Sequence, residues 1–139
     1  MSEIESLGVL GAGQMGAGIA QLAAEAGLSV KLADMDLASA EKGKASIARS
    51  LAKQVERGRK GAEAVAKTLD RIEPVAGIAD LSTVDMAVEA ATENLELKLA
   101  LFKQLDDVCK PGAILASNTS SISITLMAAA TSRPSEFIG

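Results

Sequence analysis

Short apolar runs alternate along this chain with longer segments in which apolar residues recur at helical spacing. The apolar runs predict β-strands at 7–10, 28–33, 69–75, 84–90 and 113–116, and a further strand begins at 137–139. Helices are predicted at 14–26, 35–57, 63–68, 95–108 and 122–130. Because strands that alternate with helices form parallel sheets covered on both faces, this pattern predicts an α/β fold with a doubly wound parallel sheet of the Rossmann type.

The first predicted strand leads directly into a glycine-spaced turn. Gly11, Gly13 and Gly16 fit the pattern G-x-G-x-x-G and open a predicted helix. This spacing permits a tight turn, close backbone approach to a pyrophosphate and close packing of helix on strand. Glycines at this spacing also occur in plain turns, but strand, turn and helix follow one another here in the order that a dinucleotide site requires. The helix start adds N–H groups and the positive end of a dipole for the anion.

An acidic residue ends the second predicted strand. Asp34 lies 18 residues beyond Gly16, close to the spacing at which a carboxylate binds the adenosine ribose hydroxyls. A carboxylate would repel a 2′-phosphate by roughly 4 kcal/mol per charge pair at ~4 Å and an effective dielectric of ~20. Since neither Met35 nor Asp36 supplies a cation, the sequence favours NAD over NADP.

Composition narrows the class of protein. The chain has 139 residues, a formal net charge of −4, one cysteine and no histidine. It is most simply one domain, its charge argues against nucleic acid, and its residues cannot assemble a disulfide, a zinc site or a histidine-based catalytic pair. No apolar run approaches a membrane span, and the acidic start is unlike a targeting peptide, so we expect no membrane association and a cytoplasmic protein.

Positive charge is concentrated in one segment. Residues 37–60 contain seven basic and two acidic residues, and most of the basic ones fall on one side of the predicted helix, opposite its apolar stripe. A solvated surface face would show the same pattern. The functional alternative is a site for a ligand with several phosphates, to which Ser50 at the edge of this face could add a hydroxyl.

Three motifs together resemble a known family. They are GAGQMGAGIA at 11–20, VEAATENL at 88–95 with Lys98 after it, and ASNTSSI at 116–122. In this order and spacing they resemble the NAD-binding domain of L-3-hydroxyacyl-CoA dehydrogenases, including 3-hydroxybutyryl-CoA dehydrogenases, and the resemblance covers essentially the whole chain. It implies a domain at 1–139 that binds NAD, and transfer of hydride from the 3-carbon of a 3-hydroxyacyl-CoA to NAD.

The resemblance also implies roles for individual residues. The pyrophosphate would lie on the loop of Gly11, Ala12, Gly13, Gln14, Met15 and Gly16, and the adenosine ribose on Asp34. Glu93 and Lys98 would line the nicotinamide end, Ser120 would be the catalytic hydroxyl at the substrate oxygen, and Ser50 and Arg57 would contact CoA. The substrate would be a 3-hydroxyacyl-CoA or a compound like acetoacetyl-CoA, and the full-length form a homodimer.

Other interpretations of these residues stay open. Glu93 could be a first-turn carboxylate behind a Thr92 cap, and Ser120 or Ser121 could cap the helix that begins at Ile122. The family's catalytic histidine would follow Gly139, so we expect a chain shortened before it and before a C-terminal substrate and dimerisation domain, with little or no turnover alone. The alternatives are a hydroxy-acid or carnitine-type dehydrogenase without CoA, or a nucleotide-binding module without catalysis.

Overall fold

The structure, a computed structural model, describes residues 4–92, 94–117 and 137–138. Its strands are β1 (Ser6–Leu10), β2 (Ser29–Ala33), β3 (Ile72–Val75), β4 (Met86–Glu89), β5 (Ile114–Ser117) and β6 (Phe137–Ile138). Its helices are α1 (Gln14–Glu25), α2 (Leu37–Glu56), α3 (Ala62–Asp70) and α4 (Leu95–Val108), and a 3₁₀ turn spans Ile78–Leu81. The predicted helix at 122–130 lies outside the described residues.

The strands form one parallel sheet in the order β3-β2-β1-β4-β5-β6. The chain therefore builds outward from β1 in one direction, then returns to place β4 on the other side of β1. This reversal is the topological switch point at which doubly wound sheets bind ligands, outside the carboxyl ends of the strands. The predicted Rossmann-type sheet is confirmed.

Two apolar cores lie on opposite faces of this sheet. Alternate residues of β1 point to opposite faces, so Val9 packs with α1, α2 and α3, whereas Leu10 packs with α4 and the 3₁₀ turn. Phe102 of α4 is fully buried in the second core. Burial on both faces explains why the strands are short, nearly continuous apolar runs.

The packing of α1 differs from the sequence prediction. Apolar residues recur at helical spacing across 14–26, which predicts that Met15 and Leu22 are buried, but they are 55% and 70% exposed. The buried face consists instead of small residues, Gly16, Ala17, Ala20 and Ala24. The reason is the close approach of α1 to the sheet, which leaves no room for large side chains.

Two element boundaries also differ. The third strand was predicted from residue 69, but α3 continues to Asp70, and β3 begins only at Ile72. Helix α4 is capped by Asn94, whose Oδ1 accepts from Leu97 N at 3.0 Å. The Thr92 cap was therefore wrong: the Thr92 hydroxyl accepts from Asn94 N instead, two residues before the position that caps the helix.

Candidate functional site: a dinucleotide cleft at the switch point

A cleft of about 600 Å³ opens at the carboxyl ends of β1 and β4. The glycine turn and the turn that follows β4 form its floor. Met35, the 3₁₀ turn and α4 form its sides. Lining residues include Gly11, Gly13, Asp34, Met35, Ala90 and Ala91. The cleft thus lies at the switch point, where the fold predicts a ligand.

The first and third glycines of the turn are required by backbone geometry. Gly11 has φ +114°, and a Cβ there would lie 2.7 Å from the backbone of Ala90. A Cβ on Gly16 would lie 1.6 Å from the carbonyl oxygen of Gly11. The two residues allow β1, the β4 turn and α1 to meet at one point, and no larger residue fits without moving the backbone.

The second glycine has a different setting. A Cβ on Gly13 would meet no protein atom within 4 Å, so packing does not require glycine here. Gly13 is the N-cap of α1 and makes no side-chain capping bond. Its missing side chain leaves open the approach to the amino end of α1 from the cleft, which fits a pyrophosphate resting on that end.

Asp34 joins the second strand to the glycine turn. Its Oδ2 accepts from Ala12 N and its Oδ1 from Met35 N, both at 2.6 Å. Each carboxylate oxygen has two lone pairs, so each keeps acceptor capacity for a ribose hydroxyl. Two backbone donors hold this half-buried carboxylate at the cleft wall without using all of its acceptor sites.

A buried ion pair lies beside the cleft. Lys98 Nζ donates to Glu89 Oε1 at 2.5 Å, and their side chains are only 6% and 0% exposed. Lys98 therefore does not project freely into the cleft, although its predicted place at the nicotinamide end would by itself suggest that it does. The sequence analysis did not predict this role of Glu89. The signal that could have indicated it is an acidic residue at the end of a predicted apolar strand.

The other predicted site residues are placed as follows. Ser50 lines a groove of about 560 Å³ between α1 and α2, together with Gly13, Gln14 and Lys42. Arg57 is the exposed C-cap of α2 and does not line this groove. Glu93 and Ser120 lie outside the described residues, so their roles stay predictions.

Two further findings concern the described ranges as a whole. Within residues 4–92, 94–117 and 137–138, no group of three or more histidine, cysteine or acidic side chains is placed to hold a metal ion. In the same ranges no helix combines the length and hydropathy that a membrane crossing needs.

Comparisons with known proteins agree with this geometry. The family model for the 3-hydroxyacyl-CoA dehydrogenase NAD-binding domain matches residues 6–139. A probable 3-hydroxybutyryl-CoA dehydrogenase from Deinococcus radiodurans is 48% identical over 132 residues, which are 95% of this chain and 47% of that protein. The 3-hydroxyadipyl-CoA dehydrogenase of Escherichia coli is 42% identical over 139 residues, which are 100% of this chain and 29% of that protein.

Solved structures give the same result. The crystal structure of (S)-3-hydroxybutyryl-CoA dehydrogenase from Ralstonia eutropha has a TM-score of 0.92 and 43% identity, over 97% of this chain and 48% of that chain. The present chain thus spans about half the length of that protein and of the Deinococcus relative. With its glycine turn, its sheet order and the match over residues 6–139, the chain belongs to the 3-hydroxyacyl-CoA dehydrogenase family, of which it is an NAD-binding domain.

Proposed function

We propose that this chain forms the NAD-binding part of an enzyme that oxidises the 3-hydroxyl group of an acyl-CoA. Bound NAD supplies the hydride acceptor; the residues of this chain bind and orient it. The observation that carries the proposal is the joining of Asp34 to the glycine turn through Ala12 N at 2.6 Å. This contact fixes a ribose-binding carboxylate and a pyrophosphate-binding turn in one rigid arrangement.

The order of these groups gives the direction of the dinucleotide. Asp34 follows β2, the glycine turn follows β1, and the ion pair of Glu89 and Lys98 follows β4. With the adenosine ribose at Asp34 and the pyrophosphate at the turn, the nicotinamide half extends toward β4 and β5. The predicted roles of Glu93 and Lys98 at the nicotinamide end fit this direction, and so does that of Ser120, which follows β5 in the sequence.

The groove between α1 and α2 supports a CoA substrate. Lys42, Ser46 and Ser50 line its α2 side, and exposed Arg49, Lys53 and Arg57 continue the positive charge along the helix. CoA carries several phosphates, for which arginine and lysine are suitable partners. This charge favours a 3-hydroxyacyl-CoA over a hydroxy acid or a carnitine-type alcohol as substrate.

Calorimetric titration of the chain with NAD and NADP tests the cofactor site. We expect saturable binding of NAD and much weaker binding of NADP, because Asp34 faces the ribose. The Asp34→Asn variant loses the negative charge and keeps an acceptor oxygen for only one of the two backbone N–H groups, so the difference between its affinities for NAD and NADP should become smaller. A folded chain that binds neither dinucleotide would contradict the proposal.

A second titration, with CoA, tests the groove, through Ser50, and the positive charge that continues beyond the groove along α2, through Arg57. Ser50→Ala and Arg57→Gln should each weaken CoA binding while leaving NAD binding unchanged, whereas Lys103→Gln, an exposed lysine on α4, is the matched control. Equal effects of Arg57→Gln and Lys103→Gln would show that only general charge is involved. Turnover by the 139-residue chain itself is expected to be negligible, and the homodimer and cytoplasmic location of the longer form stay predictions.

A further inference from the structure

Glu89 makes four hydrogen bonds at the carboxyl end of β4. Its Oε2 accepts from Ala91 N at 2.6 Å and Thr92 N at 3.1 Å. Its Oε1 accepts from Lys98 Nζ at 2.5 Å and from Ser117 Oγ at 3.4 Å. One fully buried carboxylate thereby joins the turn after β4, the first turns of α4 and the end of β5.

Folding alone gives little reason for such a pair. Removing two charges from water costs free energy that their attraction only partly offsets, and well-packed apolar residues often serve stability equally well. The position of the pair therefore needs an explanation in terms of the site.

The pair lies beside the nicotinamide half of the cleft. Glu89 is in register with Leu10, which directly precedes the glycine turn, and with Ser117 of β5. The next two residues, Ala90 and Ala91, line the cleft itself. Asp34 lies on the other side of β1, at the adenosine end, so the charges of Glu89 and Lys98 act on the opposite end of the dinucleotide.

We propose that Glu89 is a positioning residue that fixes the Lys98 ammonium group and balances its charge, and thereby sets the relative affinity for oxidised and reduced NAD. The inference rests on the proposed NAD site. The oxidised nicotinamide ring carries a positive charge and the reduced ring carries none, while the pyrophosphate charge is the same in both. An unbalanced Lys98 cation would repel the oxidised form selectively.

The test is calorimetric titration of NAD⁺ and NADH with the chain and three variants at pH 8. Glu89→Gln should lower the affinity for NAD⁺ relative to NADH by roughly tenfold or more, the effect expected of one unit charge ~12 Å away or nearer at an effective dielectric of ~20. The double variant Glu89→Gln/Lys98→Met removes both charges and should return the ratio toward that of the unaltered chain. Circular dichroism establishes that each variant is folded.

Asp85→Asn is the matched control. Asp85 lies just before the other end of β4, where it also accepts from two backbone N–H groups, those of Glu5 and Ser6, and from a lysine, Lys110. Loss of this carboxylate should reduce stability but leave the affinity ratio unchanged. A purely structural role for Glu89 predicts the same behaviour for both variants.

The outcomes separate the two proposals. If the unaltered chain binds neither form of the cofactor, the proposed function fails. If it binds both and Glu89→Gln weakens them by the same factor, or the double variant does not restore the ratio, only the present inference is overturned. Should Glu89→Gln not fold, Lys98→Met alone must shift the ratio toward NAD⁺, and an unchanged ratio then overturns the inference.

Discussion

The close contact between Gly16 and Gly11 allows a direct test of whether the glycine turn requires glycine at position 16. In Gly16→Ala, the new Cβ would lie 1.6 Å from the Gly11 carbonyl oxygen, far inside any allowed separation. Gly11 cannot move away easily, because the backbone of Ala90 lies only 2.7 Å from the position that a Cβ on Gly11 would take. We therefore expect α1 to move away from β1, at a cost of about 1–3 kcal/mol typical of overpacking.

Gly18→Ala is the matched control on the same helix. A Cβ on Gly18 meets no atom within 4 Å, and alanine is favoured over glycine in a helix by roughly 0.5–1 kcal/mol. Each variant adds one methyl group to α1, at positions two residues apart. The methyl group should lower the free energy of unfolding in Gly16→Ala and raise it in Gly18→Ala. Helical circular dichroism in a urea titration measures both, since the chain has no tryptophan or tyrosine.

NAD titration completes the experiment. Displacement of the α1 amino end should weaken NAD binding in Gly16→Ala by about tenfold or more, equivalent to ~1.4 kcal/mol, whereas Gly18→Ala should bind as the unaltered chain does. The reasoning is refuted if the two variants have equal unfolding free energies, or if Gly16→Ala is folded and binds NAD normally.

Three further predictions concern stability. The contacts of Asp85 with Lys110 and with two backbone N–H groups lower its carboxyl pKa, so they contribute stability above the unfolded pKa of about 3.9 that is lost as pH falls below it. Asp85→Asn should therefore flatten the loss of stability below about pH 4 in acid titrations followed by circular dichroism; an unchanged slope would contradict this. Phe102→Ala should cost ~3–5 kcal/mol in urea unfolding, because the ring is fully buried, and a cost under ~1 kcal/mol would show that the core refills the space. Asn94→Ala should cost ~0.5–2 kcal/mol through loss of the α4 cap, and Asn94→Asp should retain most of that stability.

Features that depend on local backbone chemistry could be predicted from the sequence. The glycine turn was predictable because only glycine fits at Gly11 and Gly16, and Asp34 because its place after β2 is set by the length of one helix and one strand. The alternation of strands and helices implied the parallel sheet. Each of these predictions depends on residues that are close together in the sequence, so the sequence pattern contains the information directly.

Features that depend on distances between elements could not be predicted in the same way. Helical periodicity placed Met15 and Leu22 in the core, yet the contact at Gly16 brings α1 so close to the sheet that only small residues fit inside. The same periodicity predicts that Leu37 is on the apolar side of α2, but Leu37 is 44% exposed at the helix start. Lys98 shows the reverse case, a charged residue buried because Glu89 lies opposite it.

The two carboxylates of the β4 region show why residue type alone does not assign a role. Asp85 and Glu89 are both acids at the limits of one apolar run, and each accepts from two backbone N–H groups and one lysine. Asp85 lies at the amino edge of the sheet, away from the switch point, where its bonds join the start of β1 and the segment after α4 to the segment before β4. Glu89 lies at the carboxyl edge, where the crevice of a doubly wound sheet receives its ligand. The same hydrogen-bonding arrangement therefore joins elements of the fold at one end of the strand, and at the other end it places a buried ion pair beside the residues that line the cleft.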